Sequence, residues 1–395
     1  MRVMRRWADL IDADMDNLAP LEALGSTRNI TEIRAWDINY SAECIRFFAE
    51  FIDKVGGEVA TTTPNKLGFT ITEPYGVVVM SAWKIAPAIA AGNSIVLKPS
   101  ELTPFSIIRL AELAIEAGLP KGIFNIVQGE GYAVGDPLVR HPLVGKVTFT
   151  GSTRTGAAIM AACAETGPKP VTLELGGKSP SIVMPDADLS LAIPGVANAI
   201  FFNAGQVCIA GSRLYAHRSI HDQVVEGVAN YAKSIKLGHG LDADTQMGPV
   251  GSLRHAERVE GFLNRAKAQG ATMLTGGERT GEAGTFIAPT VVVDVKPDFE
   301  IVREEVFGPV LVVQAYDDVE EVVAAANSSE YGLAASVWTE SLSHAHRLSS
   351  DIRAGTVWIN CHAMYDAALA IGGVKASGWG RDSGKQAMDN YLEWK

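Results

Sequence analysis

The stretch Ser94–Val127, SIVLKPSELTPFSIIRLAELAIEAGLPKGIFNIV, is where the fold is decided. An apolar run at Ser94 to Lys98 and a second at Ile123 to Val127 flank a segment with Ile107, Leu110, Ala111 and Ala114 on one side at helical spacing, so the unit reads strand, helix, strand. Thr103 is the expected cap, Pro104 the first helical residue, and Gly118 with Pro120 the stop. Strand and helix alternate in this way from Tyr75 to Pro170, which predicts a parallel sheet covered on both faces. The alternation resumes beyond it. Ser181 to Met184 reads as a strand, Asp188 caps a helix through Ile200, and Ser219 with Asp222 opens another by a capping box. A helix at Leu253 to Gln269, strands at Phe286 to Val293 and Val310 to Gln314, and a helix at Val319 to Ala326 continue an α/β chain. Upstream, Met1 to Ser26 is helical with Trp7, Ile11, Met15 and Leu18 inward, and a second helix runs from about Asp37 to Val55. Thr61 to Thr72 predicts a hairpin turning at Pro64–Asn65 and projecting from the body.

Composition limits the function. The chain has 395 residues, 47% hydrophobic, with 39 glycines and 18 prolines, enough for a large core and two or three domains. A net charge of −11 argues against nucleic acid or an anionic membrane as partner and favours a small metabolite. The four cysteines, Cys44, Cys163, Cys208 and Cys361, form no C-x-x-C pair, so neither a zinc site nor a disulfide framework is expected, and no metal is assigned. Arg5 and Arg6 precede no apolar run long enough for export or spanning, which predicts a cytoplasmic protein.

Two stretches carry the chemistry. In Phe201–Arg213, FFNAGQVCIAGSR, Cys208 sits between Gly205 and Gly211, with Asn203 and Gln206 before it; the glycines would bring backbone amides close to a substrate carbon. In Val171–Lys178, VTLELGGK, a short strand carries Glu174 into a Gly-Gly turn, where a carboxylate could swing to activate water. A lone cysteine or carboxylate is more often structural, and the weight comes from their occurring together. Amides and a helix N-terminus near the Cys predict a thiol of lowered pKa, alkylated faster than the other three. Two glycine-rich junctions, Gln128–Gly135 (QGEGYAVG) and Val147–Gly156 (VTFTGSTRTG), could face a phosphate, although neither matches G-x-G-x-x-G.

With these stretches stand IVLKPSE (95–101), FTG (149–151), REEVFGPV (303–310), GTVWIN (355–360) and GGVKASGWG (372–380). Together they resemble the aldehyde dehydrogenase superfamily over essentially the whole chain. The resemblance implies a Rossmann-type nucleotide-binding domain (1–175, with a projecting oligomerisation hairpin at 58–74), an α/β catalytic domain (176–364) and a C-terminal return segment (365–395). It implies NAD-dependent oxidation of an aldehyde to the acid, with Cys208 as nucleophile and Glu174 as general base, and Lys84 beside them. Lys98 and Glu101 would hold the adenosine ribose, and the Glu101 carboxylate would repel a 2′-phosphate, favouring NAD over NADP. Gly131, Gly135, Phe149, Gly151, Ser152 and Leu175 fall in the cofactor cleft, with Ser152 at the pyrophosphate; Glu305 and Phe307 match the nicotinamide ribose and ring positions. Trp83, Ile209 and Met364 would line the aldehyde pocket, and a homodimer or homotetramer is implied.

The chain departs from the family pattern in four places. Tyr75 to Lys84 reads YGVVVMSAWK, without the Asn-bearing loop that donates to the oxyanion, a loss on the order of 10²- to 10³-fold in turnover. Lead-in strands before the first helix are missing, Lys395 precedes the usual closing strand, and DAALAIGG (366–373) replaces an apolar turn. A second reading is therefore an impaired relative that binds NAD or partner subunits without efficient turnover. A third is an esterase working through Cys208 alone.

Overall fold

The computed structural model describes residues 1–80, 82–281 and 284–395. Its two main sheets are mixed α/β layers. The first runs in the order Gly378–Trp379, Val171–Glu174, Lys146–Thr150, Val77–Met80, Ser94–Leu97, Phe124–Ile126, parallel except for the antiparallel edge at Gly378–Trp379. The second runs Thr272–Thr275, Thr290–Val293, Val310–Tyr316, Arg213–His217, Pro180–Val183, Ala334–Trp338, Thr356–Ile359, with only the Thr272–Thr275 edge antiparallel.

Helical spacing accounts for how the N-terminal segment covers the first sheet. Met4, Trp7 and Ile11 of the helix Arg2–Ala13 join Leu18, Ile45 and Phe48 against Val78, Ile95, Leu97 and Leu113 in one core. The chain breaks at Asp14 before the helix Met15–Ser26, and Asp14 is held there by Arg109 at 2.8 Å. The helix of the Ser94–Val127 unit runs Phe105–Glu116, one residue later than expected; Pro104 is its cap residue, and no side chain caps it. The capping box at Ser219 is likewise not formed. The helix starts at His221 without a side-chain cap, because Ser219 Oγ bonds the ring of His217 instead. Asp188 does cap Leu189–Phe201, accepting the Ser190 amide.

The hairpin pairs Val59–Ala60 with Gly68–Phe69 and turns at Pro64–Asn65. A strand not foreseen, Leu392–Trp394, pairs antiparallel with Thr72–Pro74. The C-terminal return segment thus ends in a strand that finds its partner within the chain. The junction lacking the asparagine loop includes Ser81, which lies outside the described residues; the strand before it, Val77–Met80, pairs on both sides.

Parallel strands place their C-terminal ends on one edge of the first sheet, so Lys98, Gly151 and Glu174 share that edge. From Glu174 the chain crosses through Gly176–Gly177 to Pro180, which begins a central strand of the second sheet. The candidate site lies at this crossing.

Candidate active site

Glycine packing assembles the site. A Cβ on Gly177 would lie 2.2 Å from the Cys208 carbonyl oxygen, one on Gly176 would lie 2.6 Å from Glu305 Oε2, and one on Gly372 would lie 2.6 Å from Glu174 Oε1. No larger residue fits at these positions without displacing its neighbour. The Gly177 amide donates to Glu305 Oε1 at 2.9 Å, which fixes the carboxylate against the crossing. Three separate sequence motifs thereby meet.

Cys208 sits in a turn between the helix Leu189–Phe201 and the strand Arg213–His217, so no helix follows it directly. Three successive residues before it, Asn203, Ala204 and Gly205, have left-handed backbone, with φ of 49°, 53° and 69°. Gly205 is used for a close backbone crossing, since a Cβ there would lie 2.0 Å from the Gly308 carbonyl oxygen. Gly211 similarly abuts Ser181 and Ala199. These glycines serve packing of the turn, whereas the sequence suggested that they open it to substrate. Arg28 lies 4.5 Å over the Phe202 ring and braces the turn from the N-terminal helices.

The thiol corrects an expectation. Burial pushes the Cys208 pKa up to about 12, with the nearby carboxylates of Glu305 and Glu174 adding to the rise and backbone hydrogen bonds at Cys208 and Ile209 opposing it. Desolvation, reinforced by the two carboxyl groups, outweighs the amides, and the helix invoked to lower the pKa is not there. Glu174 is also buried. Desolvation and Asp382 raise its pKa, while Lys84 and Arg381 draw it down. Its Oε1 has no hydrogen-bond partner among the described residues. The carboxylate that the Gly-Gly turn was expected to let swing is an enclosed group whose pKa burial pushes up to about 8.

Lys84 is buried and paired with Asp382, which sequence reading did not single out. Glu305 is raised by burial. Phe307, with φ of 59°, is held by His255, whose Nε2 donates to the Phe307 carbonyl at 2.7 Å and whose ring stacks on it at 5.9 Å. Trp83 is 49% exposed and packs edge-on against Tyr365 at 5.3 Å and, at a tilt, against Tyr40 at 5.7 Å. Tyr365 is close enough to Cys208 for each charge to oppose the other. Tyr40, on the helix Ile38–Phe51, thus reaches the site from a helix that the sequence reading did not connect with it. Ile209 is enclosed with Leu333 and Trp358, its carbonyl accepting from His362, and so is part of the core behind the thiol. Met364 is exposed and contributes its carbonyl to Trp358.

Along the C-terminal edge, Lys98 Nζ donates to the Pro99 carbonyl and lies 3.4 Å from Glu101, which is exposed. Gly135 approaches the Lys98 stem, and a Cβ on Gly131 would meet nothing within 4 Å. Ser152 caps the helix Thr153–Glu165, accepting the Thr155 amide, and both it and Gly151 are exposed. Leu175 packs on Gly156 of that helix, and Phe149 lies under Gly151. An open edge with a helix N-terminus, exposed glycines and a Lys–Glu pair fits a dinucleotide, since pyrophosphate needs donors and a ribose needs a carboxylate acceptor.

The aldehyde dehydrogenase family profile matches residues 1–395. A phenylacetaldehyde dehydrogenase of Pseudomonas fluorescens is 45% identical over 408 residues, covering 99% of this chain and 81% of that protein. A betaine aldehyde dehydrogenase of Vibrio vulnificus (strain YJ016) is 42% identical over 408 residues, covering 100% and 84%. Among solved structures, the NAD+ complex of an aldehyde dehydrogenase from Bacillus cereus has a TM-score of 0.98 and 44% identity, covering 100% of this chain and 82% of that one. The chain belongs to the aldehyde dehydrogenase family. No helix among the described residues is long and apolar enough to cross a membrane.

Proposed function

We propose that this chain oxidises an aldehyde to the carboxylic acid with NAD, using Cys208 for covalent capture and Glu174 for hydrolysis. The observation that carries the reading is the meeting of Cys208, Glu174 and Glu305 around Gly176–Gly177. When bound, NAD supplies the two-electron acceptor. Cys208 adds its sulfur to the aldehyde carbon, and after oxidation holds the acyl group as a thioester. Glu174 as carboxylate then takes a proton from water, whose oxygen attacks the thioester carbon; the acid leaves and the thiol is restored. Lys84, through its ion pair and its pull on Glu174, keeps that base available.

Lys98 and Glu101 would hold the adenosine ribose, and Gly131, Gly135, Gly151 and Ser152 the pyrophosphate, with Phe149 and Leu175 forming the wall. Glu305 and Phe307 would meet the nicotinamide end. The aromatic group of Trp83, Tyr365 and Tyr40 near the thiol supports an apolar aldehyde, with Ile209 backing the site from the core. A nucleotide-binding unit at 1–175, a catalytic unit at 176–364 and a return segment at 365–395 complete the assignment. The exposed Val59, Leu67 and Phe69 of the hairpin support a homodimer or homotetramer, and a cytoplasmic location is retained from the sequence.

The test is NADH formation with aliphatic and aromatic aldehydes beside a Cys208→Ala control; no signal above that control would overturn the reading. The missing asparagine of YGVVVMSAWK favours a second reading, binding without efficient turnover. Calorimetric NAD binding in a protein that makes no NADH would select it.

A further inference from the structure

Beyond the Gly-Gly crossing, Lys178, Ser179 and Arg213 line a narrow cavity with Tyr331, Gly332 and Arg353. Lys178 and Ser179 are each 2% exposed, yet the ammonium and the hydroxyl both lack a hydrogen-bond partner among the described residues. Arg213, also buried, spends its donors on the carbonyls of Lys178, Ala325 and Ala326 and on the Tyr215 hydroxyl. Neither cation forms an ion pair with a carboxylate among the described residues. Glu305, the nearer acid on the other side, is engaged by the Gly177 amide. Arg353 at the rim is exposed, so positive charge continues from the buried wall to solvent.

Unpaired buried charge is costly, and buried donors left without partners on residues that line a void call for an acceptor. We infer that this cavity is a binding site for a monatomic inorganic anion of the chloride type, held by Lys178 Nζ and Ser179 Oγ. An anion there neutralises the charge that Lys178 and Arg213 leave uncompensated, and the narrow cavity favours a monatomic one. A water molecule would satisfy the donors and leave the charge. Burial and the proximity of Arg213 pull the Lys178 pKa down to about 7, and Glu305 and Glu304 oppose that pull; a bound anion would raise it again.

The test compares thermal unfolding of the full chain in sodium chloride and sodium gluconate at equal ionic strength. The expected result is a Tm about 2 °C higher in chloride, with the difference abolished in Lys178→Met and reduced in Ser179→Ala. Equal Tm values for the native chain, or a chloride effect retained by Lys178→Met, would overturn the site. If Lys178→Met does not fold, crystals of the native chain grown in bromide decide the matter. Anomalous density between Lys178 Nζ and Ser179 Oγ supports the proposal, and its absence overturns it.

Discussion

Lys84 Nζ donates to both carboxylate oxygens of Asp382, at 2.6 and 2.5 Å, in the interior beside Glu174. The pair sets the charge around the proposed base. Asp382→Asn would leave the Lys84 ammonium buried and uncompensated, which costs about 3–5 kcal/mol of stability. The same change removes an anion that raises Glu174 and leaves the cation that lowers it, so the acid limb of kcat against pH moves to lower pH. Denaturant unfolding and a pH–rate profile check the two effects; an unmoved limb would separate Asp382 from the base.

Glu174 is raised to about 8 from an ordinary 4.5, chiefly by burial. A general base works only when ionised, so the deacylation rate should climb with pH and level off above about 8. The folded state binds this proton more tightly than the unfolded one. The contribution of Glu174 to stability is therefore present below pH 4.5 and is lost as pH rises through about 8. Glu174→Gln should abolish acid release while flattening that part of the stability curve, measured by urea titration across the range.

The Cys208 thiol should react slowly with iodoacetamide at neutral pH in the protein without cofactor. Glu305 is the largest electrostatic contributor to its raised pKa, after burial. Glu305→Gln should increase the alkylation rate roughly 3- to 10-fold by removing that charge. Mass-spectrometric counting of modified Cys208 over time reads the effect, and an unchanged rate would mean the two groups do not interact.

Gly205→Ala should damage the nucleophile turn directly. Its φ of 69° already disfavours a side chain, and the new methyl would meet the Gly308 carbonyl. A loss of about 1–3 kcal/mol from backbone strain, with more from the clash, is expected. Thermal unfolding gives the first quantity, and the residual rate of NADH formation shows how far Cys208 has moved.

Cofactor choice should turn on Glu101, whose carboxylate stands exposed beside Lys98. Glu101→Ser removes a charge that would oppose a 2′-phosphate, so KM for NADP should fall several-fold, on the order of 1 kcal/mol. Steady-state kinetics with both dinucleotides check this, and an unaltered ratio would place the ribose elsewhere.

What the sequence alone determined was the alternation that makes two parallel sheets and the motifs that carry the thiol and the carboxylate. Periodicity and turn residues are local, and so Ser94–Leu97, Phe105–Glu116 and Leu189–Phe201 were legible within a residue or two. The charge state of Cys208, the Asp382 partner of Lys84, the approach of Tyr40 and the cavity at Lys178 were decided only by tertiary structure. Each depends on which groups far apart in the chain are pressed together out of water. Desolvation and Coulomb interaction act through space, and no spacing of letters encodes them.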